Sequence, residues 1–387
     1  MKGRVSERVY YEEPYLRSIT ARVVERREAE GGLLYAFDRT IFYPGGGGQF
    51  PDKGTVGGKE VLEVFEENGR VYHRLAEPLD CEECLMEIDW ERRYLFMKMH
   101  TGQHLFSAVL ERLFGWKTLS ASIQEEHVSV EVSTPKVPWE KVALAELEAF
   151  KAIQENRPVK TYWLAAEEAK RLPLRKLVDV GERVRVVEIE GWDYSLCKGT
   201  HVKQTSEIGL IAVYGTDKVR GNARLYFRVS APALSYLQEA RAKVKELVSS
   251  FGMEEERLSD RVSQVVAEKR RLSKKLQRLE KSLAEEKIRE LLAREEGVIL
   301  EELDFEDERA LKHMANALLR EKRAGLLYSS RTGKLFLSLP EPELEEKVLG
   351  FLRELGARGG GRDGFYQFSL EDKALLQRLR AILEPSQ

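Results

Sequence analysis

Residues 92–114 read RRYLFMKMHTGQHLFSAVLERLF, and this stretch decides the fold of the middle of the chain. Its apolar side chains recur every three or four residues, which predicts one helix with a buried face. The apolar positions are Leu95, Phe96, Met99, Leu105, Val109, Leu110 and Leu113. Gly115 follows directly and predicts the end of the helix.

Short β-prone segments separated by glycines precede this helix and predict a small barrel or sandwich over residues 1–90. Beyond the helix, β-type segments alternate with a second helix that Pro138 is predicted to begin. The β-type segments cover residues 128–132, 183–189, 208–214 and 223–229. Residues 91–230 are therefore predicted to mix helix and sheet in one domain.

Residues 231–295 are predicted to be helical. Pro232 can begin a helix, and from there to residue 293 the sequence has no further proline and a single glycine, Gly252. Six apolar residues follow a four-three alternation, which is typical of a coiled coil or of an antiparallel hairpin bent at Gly252. They are Val262, Val265, Leu272, Leu276, Leu279 and Leu283, with Lys269 interrupting the series. A long helix lying on a globular domain is the alternative.

The outer face of this predicted helix is basic. Its cations are Arg270, Arg271, Lys274, Lys275, Arg278 and Lys281. A basic helix face indicates either a solvated surface or contact with a nucleic-acid backbone.

Residues 296–387 contain strand-like and helical patterns again, which predict a small C-terminal α/β domain. The fold class predicted for the whole chain is therefore α+β and multidomain. It combines a small N-terminal β-barrel, a mixed α/β domain, a long helical segment and the small C-terminal α/β domain.

The composition excludes several classes of protein. The chain has 387 residues, 42% hydrophobic and 33% charged, so it is too apolar to be disordered and long enough for several domains. A net charge of −2 gives no global basic field. Three cysteines exclude a disulfide scaffold and indicate a reducing compartment. Neither a secretory signal nor a membrane span is recognisable, so the sequence predicts a cytoplasmic protein with no membrane partner.

Two separated motifs together predict a metal site. His100 and His104 lie one turn apart on one face of the predicted helix. The motif Cys197-Lys-Gly-Thr-His201 has a central glycine that allows its thiolate and imidazole to turn toward one ion. Three nitrogens and one sulfur suit Zn²⁺ by number and softness. We therefore predict one Zn²⁺ per chain, held by these four residues.

The other two cysteines, Cys81 and Cys84, flank two glutamates. This spacing suits a zinc knuckle or a redox pair, but the sequence has no second pair to complete a knuckle. The intervening glutamates disfavour the thiolate form. The prediction is an incidental pair on a turn.

Three separated motifs, in this order, resemble the editing domain of alanyl-tRNA synthetase. They are the glycine-rich loop Tyr43-Pro-Gly-Gly-Gly-Gly-Gln49-Phe-Pro-Asp52-Lys-Gly54, the histidine pair His100-Thr-Gly-Gln-His104, and Cys197-Lys-Gly-Thr-His201-Val with Thr205-Ser-Glu-Ile-Gly. The related threonyl-tRNA synthetase domain usually has proline before the loop histidine. This chain has Thr200 there, which favours the alanyl type.

The whole chain is similar to the free-standing AlaX proteins in their long form, firmly over residues 35–230 and more loosely beyond. This resemblance implies four domains. They are a β-barrel-like domain with the glycine-rich loop (1–90), a zinc-binding editing domain (91–230), a helical coiled-coil segment (231–295) and a C-terminal α/β domain like that of alanyl-tRNA synthetase (296–387). No aminoacylation module is recognisable, so the resemblance implies editing rather than charging.

The reaction implied by the resemblance is hydrolysis of the ester that joins serine or glycine to tRNA(Ala). The resemblance and the motifs imply that polar residues near the metal act on the substrate and form the catalytic set, and the candidates are Gln49, Thr101, Gln103, Ser120 and Ser122. The candidates for tRNA contact are Arg271, Lys274, Lys275, Arg278 and Arg362, the last in a Gly359-Gly-Gly-Arg362 motif similar to one that contacts tRNA in the family. The expected partners are mischarged tRNA(Ala) and a second copy of the chain, bound through the helical segment or the C-terminal domain.

Alternatives remain open at this point. A closed zinc site joined to a helical arm also fits a zinc-stabilised RNA-binding adaptor without catalysis, and threonyl-type editing of Ser-tRNA(Thr) uses similar motifs. The role of the metal is open as well. Four protein ligands are typical of a structural zinc, whereas a catalytic zinc keeps an exchangeable position.

Overall fold

The computed structural model describes residues 6–29, 31–176, 182–294 and 297–370, together with Leu376, Arg378 and Leu379. Helices and several separate sheets follow one another along the chain, which confirms the predicted α+β class. The chain divides into two compact units, Met1–Ser250 and Phe251–Gln387. The finer division into four domains stays a prediction, and its boundary at residues 295–296 lies outside the described residues.

Strands dominate the start of the first unit. The elements are β1 (Glu7–Arg8), α1 (Val9–Glu12), β2 (Ser18–Ala29), β3 (Gly32–Phe37), β4 (Arg39–Thr40), β5 (Gly54–Val56), β6 (Lys59–Glu67), β7 (Arg70–Leu75) and β8 (Glu83–Ile88). Six of them close into a barrel in the order β2-β3-β7-β6-β5-β8, with antiparallel neighbours. Inward-facing side chains such as Tyr35, Phe37 and Val64 fill it, because successive residues of a strand face opposite sides.

The helix predicted over residues 92–114 is α2 (Trp90–Phe114). It begins at Asp89, whose side chain accepts a hydrogen bond from the Arg92 backbone N–H at 3.1 Å and so satisfies one free donor of the first turn. It ends at Gly115, which adopts the left-handed conformation (φ 69°). The predicted helix and its predicted end are both confirmed.

The rest of the first unit packs two sheets and further helices around α2. Its elements are β9 (Thr118–Ile123), β10 (Val128–Val132), α3 (Trp139–Gln154), β11 (Val159–Ala165), α4 (Ala166–Ala169), β12 (Arg183–Ile189), β13 (Asp193–Leu196), β14 (Ile211–Val219), β15 (Asn222–Val229) and α5 (Ala231–Phe251). The sheet orders are β14-β15-β10-β9 and β11-β12-β13. The strand predicted from residue 208 begins at Ile211 instead, because Thr205–Ile208 forms a 3₁₀ turn.

The second unit contains one long helix followed by a five-stranded sheet with two helices. After a 3₁₀ turn at Glu255–Arg257, its elements are α6 (Leu258–Leu292), β16 (Ile299–Leu303), α7 (Glu308–Arg320), β17 (Gly325–Ser329), β18 (Lys334–Ser338), α8 (Pro342–Glu354), β19 (Arg358–Arg362) and β20 (Phe365–Ser369). The sheet order is β16-β17-β18-β20-β19. The predicted glycine cluster forms edge strand β19, where a Cβ at Gly361 would lie 2.0 Å from the Phe365 carbonyl oxygen.

One expectation is wrong. Cys81 and Cys84 form a disulfide, because the turn that leads into β8 places their α-carbons 5.6 Å apart, within the range that a disulfide spans. The pair is therefore bonded rather than incidental. Among the described residues, no helix combines the length and the apolar character needed to cross a membrane.

Candidate metal centre

Helix α2 and the loop after β13 bring the four predicted metal ligands together. His100 and His104 lie one turn apart on α2, and Cys197 and His201 come from the loop. One ligand atom from each residue lies within 4.8 Å of all the others. The Cys197 sulfur is 3.3 Å from His100 Nε2 and 3.4 Å from His201 Nε2. Ligands at about 2.0–2.3 Å from one zinc ion lie at such separations, so the donor set fits Zn²⁺.

Each of the three imidazoles has its other ring nitrogen, Nδ1, engaged by the protein. His100 Nδ1 lies 2.8 Å from Gln49 Oε1, His104 Nδ1 lies 3.0 Å from Asp193 Oδ2, and His201 Nδ1 lies 3.1 Å from Thr101 Oγ1. An Nδ1–H bonded to such an oxygen leaves Nε2 as the free lone pair, which is the form that binds a metal. These contacts therefore orient all three rings and leave each Nε2 available to bind an ion.

Asp193 is the strongest of these supporting groups. It is buried, and its carboxylate also accepts hydrogen bonds from Arg175 Nε at 2.8 Å and from the Ser195 hydroxyl at 2.8 Å. Burial by itself would raise the pKa of Asp193, but the hydrogen bond from His104 and the charge of Arg175 lower it to about 2. The carboxylate therefore stays ionised beside His104.

The cysteine loop depends on close approach to His100. A Cβ at Gly199 would lie 2.1 Å from His100 Cε1, so a side chain at this position has no space beside the ring. Arg185 Nη1 donates to the carbonyl oxygens of Cys197 at 3.1 Å and Gly199 at 2.8 Å, which fixes the loop. Burial raises the pKa of the Cys197 thiol, yet the electrostatic interactions of its sulfur with His100 and His201 outweigh this effect and lower the pKa well below its usual value.

The glycine-rich loop is fastened to α2 by a buried ion pair. Arg93 and Asp52 have side chains that are 0% and 1% exposed, and Arg93 Nε lies 2.9 Å from Asp52 Oδ1. The Arg93 guanidinium also donates to the carbonyl oxygens of Pro14 and Ile41, while Asp52 accepts from the Tyr43 backbone N–H at 2.6 Å. These contacts hold the loop that carries Gln49 against the helix that carries His100.

The structure brings two of the five predicted polar residues into contact with the ligands. Gln49 contacts His100 and also accepts from the Thr200 backbone N–H at 3.1 Å, and Thr101 contacts His201. Gln103 instead donates to Ser107 one turn later at 2.9 Å. On β9, Ser120 donates to Glu131 and Ser122 accepts from Gln124.

The candidates for tRNA contact are exposed and lie in the second unit. Arg271, Lys274, Lys275 and Arg278 are on α6, and Arg362 is at the end of β19. Lys274, Arg278 and Lys281 line a groove together with Arg309 and His313 of α7. Arg309 and His313 were not among the predicted residues.

Sequence reasoning also missed Asp193, Arg175 and Arg185. Asp193 lies 89 residues from its partner His104, and the partners of Arg175 and Arg185 lie 12 to 20 residues away, too far for a local pattern to show the contacts. The one local signal was an aspartate and a serine at alternate positions just before Cys197, which places both side chains on one face of the strand.

A family model described as the threonyl and alanyl tRNA synthetase second additional domain matches residues 184–226, which include Cys197 and His201. An alanyl-tRNA editing protein, AlaX-L of Pyrococcus horikoshii, is 32% identical over 98% of this chain and 99% of its own length. The chain therefore belongs to the AlaX-L family of alanyl-tRNA editing proteins.

Two further relatives are a larger ligase and a second editing protein. The alanine–tRNA ligase of Pyrobaculum aerophilum is 30% identical over 97% of this chain, which spans 44% of the ligase. Alanyl-tRNA editing protein Aarsd1-B of Xenopus laevis is 33% identical over 58% of this chain and 56% of its own length. The chain thus matches less than half of the ligase.

Proposed function

We propose that this chain is a zinc-dependent hydrolase that removes wrongly attached serine or glycine from tRNA(Ala). The observation that carries this proposal is the convergence of the four ligand atoms, with Nδ1 of each imidazole held by the protein. Membership of the AlaX-L family supports the substrate, because the relatives are named for editing alanyl-tRNA.

The chemistry explains why such an enzyme is useful. An aminoacylation pocket built for a small side chain rejects an analogue with one added hydroxyl by only about a hundredfold. A separate hydrolytic site that accepts serine and spares alanine corrects the remaining errors. In the reaction water adds to the ester carbonyl, the bond to the ribose oxygen breaks, and free amino acid and free tRNA leave.

The chain's own residues would hold and orient the reactants. A bound zinc would supply Lewis acidity and a position for water or for the amino group of the substrate. Gln49 and Thr101 keep His100 and His201 in place. Gly46 and Gln49 exchange backbone hydrogen bonds of 3.0 and 3.1 Å, which leaves Gly47 and Gly48 at the tip of a tight turn. Their amides are our candidates for stabilising the oxyanion that forms.

A deacylation panel tests this function. We expect the purified protein to hydrolyse Ser-tRNA(Ala) and Gly-tRNA(Ala) and to leave Ala-tRNA(Ala) intact, because the proposed editing function requires that the correctly charged tRNA is spared. The measurement is the loss of radiolabelled amino acid from each tRNA under single-turnover conditions.

The other outcomes identify the alternatives. Binding of tRNA without hydrolysis of any of these substrates would indicate a zinc-stabilised adaptor. Faster hydrolysis of Ser-tRNA(Thr) than of Ser-tRNA(Ala) would indicate threonyl-type editing. Either result contradicts the proposed function.

We also propose that the basic face of α6 captures the tRNA backbone. Replacing Lys274 and Arg278 by alanine should raise the KM for Ser-tRNA(Ala) and leave kcat nearly unchanged, since the two cations lie outside the metal site. The slope of log Kd against log salt should fall by about 0.7–0.9 for each phosphate that the variant no longer neutralises. The control replaces Lys347 and Arg353 on α8 by alanine. Equal effects in both double variants would rule out a specific role for α6.

The apolar positions of α6 support the proposal that two copies associate through the helical segment. All six heptad residues are exposed, from Val265 at 38% to Leu279 at 58%. Burying such a stripe against a second helix is favourable by about 25 cal/mol for each Å² of apolar surface. Sedimentation equilibrium of the wild type and of Leu276→Glu tests the association, and a monomeric wild type would contradict it.

A further inference from the structure

One face of α2 leads outward from the metal ligands to the protein surface. His104, His100, Phe96 and Arg92 succeed one another at intervals of four residues, so they lie along the same side of the helix. At 1.5 Å per residue, Arg92 lies about 12 Å along the axis from His100. The side chains along this line change from metal ligand to aromatic ring to cation.

Phe50 lies beside this line on the glycine-rich loop. It directly follows Gln49, whose side chain contacts His100, and its ring packs edge-to-face on Phe96 with ring centres 6.3 Å apart. Phe96 is buried, whereas Phe50 remains 37% exposed. An exposed aromatic ring next to a buried catalytic centre offers a flat apolar surface to a ligand.

Arg92 lies over the Phe96 ring of the same aromatic cluster. Its guanidinium carbon is 4.6 Å from the centre of the Phe96 ring, and Nη1 is 2.9 Å from the exposed Glu125 carboxylate. The Arg92 side chain is 15% exposed and its partner Glu125 is 58% exposed, so a phosphate can replace this carboxylate at the exposed part of the guanidinium.

We propose that Phe50 and Arg92 form the subsite for the 3′-terminal nucleotide of the aminoacyl-tRNA, and this inference rests on the proposed function. The base stacks on Phe50, the 5′-phosphate of the same nucleotide binds Arg92, and the acyl ester reaches the metal ligands. The spacing supports this order, because one nucleotide carrying its acyl group spans the distance from His100 to Arg92. Stacking on an aromatic ring accepts any base, whereas the guanidinium matches the phosphate oxygens.

The test uses a non-hydrolysable analogue, 3′-seryl-amido-3′-deoxyadenosine, with and without a 5′-phosphate, titrated into the full zinc-loaded chain. Phe50→Ala should weaken binding of both analogues by roughly ten- to hundredfold, the usual effect of removing one aromatic ring on which a base stacks. Arg92→Gln should weaken only the 5′-phosphorylated analogue. Zinc content should stay that of the wild type in both variants.

Two further variants separate stacking from simple covering of Phe96. Phe50→Leu keeps an apolar side chain over Phe96 but removes the flat ring, so we expect it to bind as poorly as Phe50→Ala, while Phe50→Tyr should bind like the wild type. Phe150→Ala on α3 is the matched control, since Phe150 is 39% exposed and lies on a different element. Arg112→Gln, near the other end of α2, is the control for Arg92.

The outcomes for the subsite and for the function are distinct. Wild-type affinity of Phe50→Leu, or a loss in Arg92→Gln that does not depend on the 5′-phosphate, would overturn the subsite even if the wild type deacylates Ser-tRNA(Ala). Conversely, the expected binding pattern in a wild type that hydrolyses none of the tRNA substrates would support the nucleotide subsite and contradict the hydrolase.

Discussion

His104→Ala should remove both the bound zinc and the hydrolysis of Ser-tRNA(Ala). The substitution deletes one of four ligands and leaves the buried Asp193 carboxylate without its imidazole partner. Changing a group that only supports a ligand typically costs 10–100-fold in metal affinity, so loss of the ligand itself should cost more than about a hundredfold. Zinc content after dialysis, measured by mass spectrometry, and single-turnover deacylation check both parts.

A graded variant and a control make this result specific. Asp193→Asn keeps the size of the side chain but removes the charge beside His104, so we expect roughly a 10–100-fold weaker zinc affinity and partial activity. His127→Ala removes a histidine from the loop between β9 and β10 that is not one of the four ligands, and this variant should retain both metal and activity. A His104→Ala protein that is free of zinc yet hydrolyses at the wild-type rate would rule out the metal-dependent mechanism.

Asp52→Ala should destabilise the first unit by about 3–5 kcal/mol, because it leaves the buried Arg93 guanidinium without a counter-charge. All five tryptophans lie in this unit, so tryptophan fluorescence during urea unfolding reports on it selectively. Loss of the ion pair should also weaken zinc binding, since the loop that bears Gln49 is then no longer attached to α2.

The matched comparison is an exposed ion pair of the same barrel. Arg22 and Glu83 have side chains that are 65% and 59% exposed, so Glu83→Ala should cost no more than about 1 kcal/mol. The double variant Asp52→Leu with Arg93→Met should be more stable than Asp52→Ala alone, because no uncompensated charge remains buried. A loss below about 1 kcal/mol for Asp52→Ala would show that this pair does not anchor the loop.

Much of the metal site could be predicted because its ligands follow local rules. Histidines at positions 100 and 104 face the same side of any helix, and a glycine between Cys197 and His201 permits a tight loop. The apolar pattern likewise predicted α2 and its end at Gly115, where the helix ends in the structure.

The supporting groups could not be predicted, because they depend on tertiary contacts. Gln49 was expected to act on the substrate, yet both ends of its amide contact His100 or Thr200 in the structure. Nothing in the pattern around Asp193, Arg175 or Arg185 shows that they meet the metal ligands. The Cys81–Cys84 bond was missed for a related reason, since the conformation of the turn, rather than the residue spacing, decides whether two sulfurs meet.

The contact between Gln49 and His100 limits how far the protein can be shortened. The four predicted zinc ligands all lie beyond residue 90. One of them, His100, takes its orientation from the loop between β4 and β5, and α2 is attached to that loop through Arg93. A fragment that starts at α2 would keep all four ligands but would lose the loop that orients His100. A shortened protein that keeps the complete candidate metal site must therefore include the barrel.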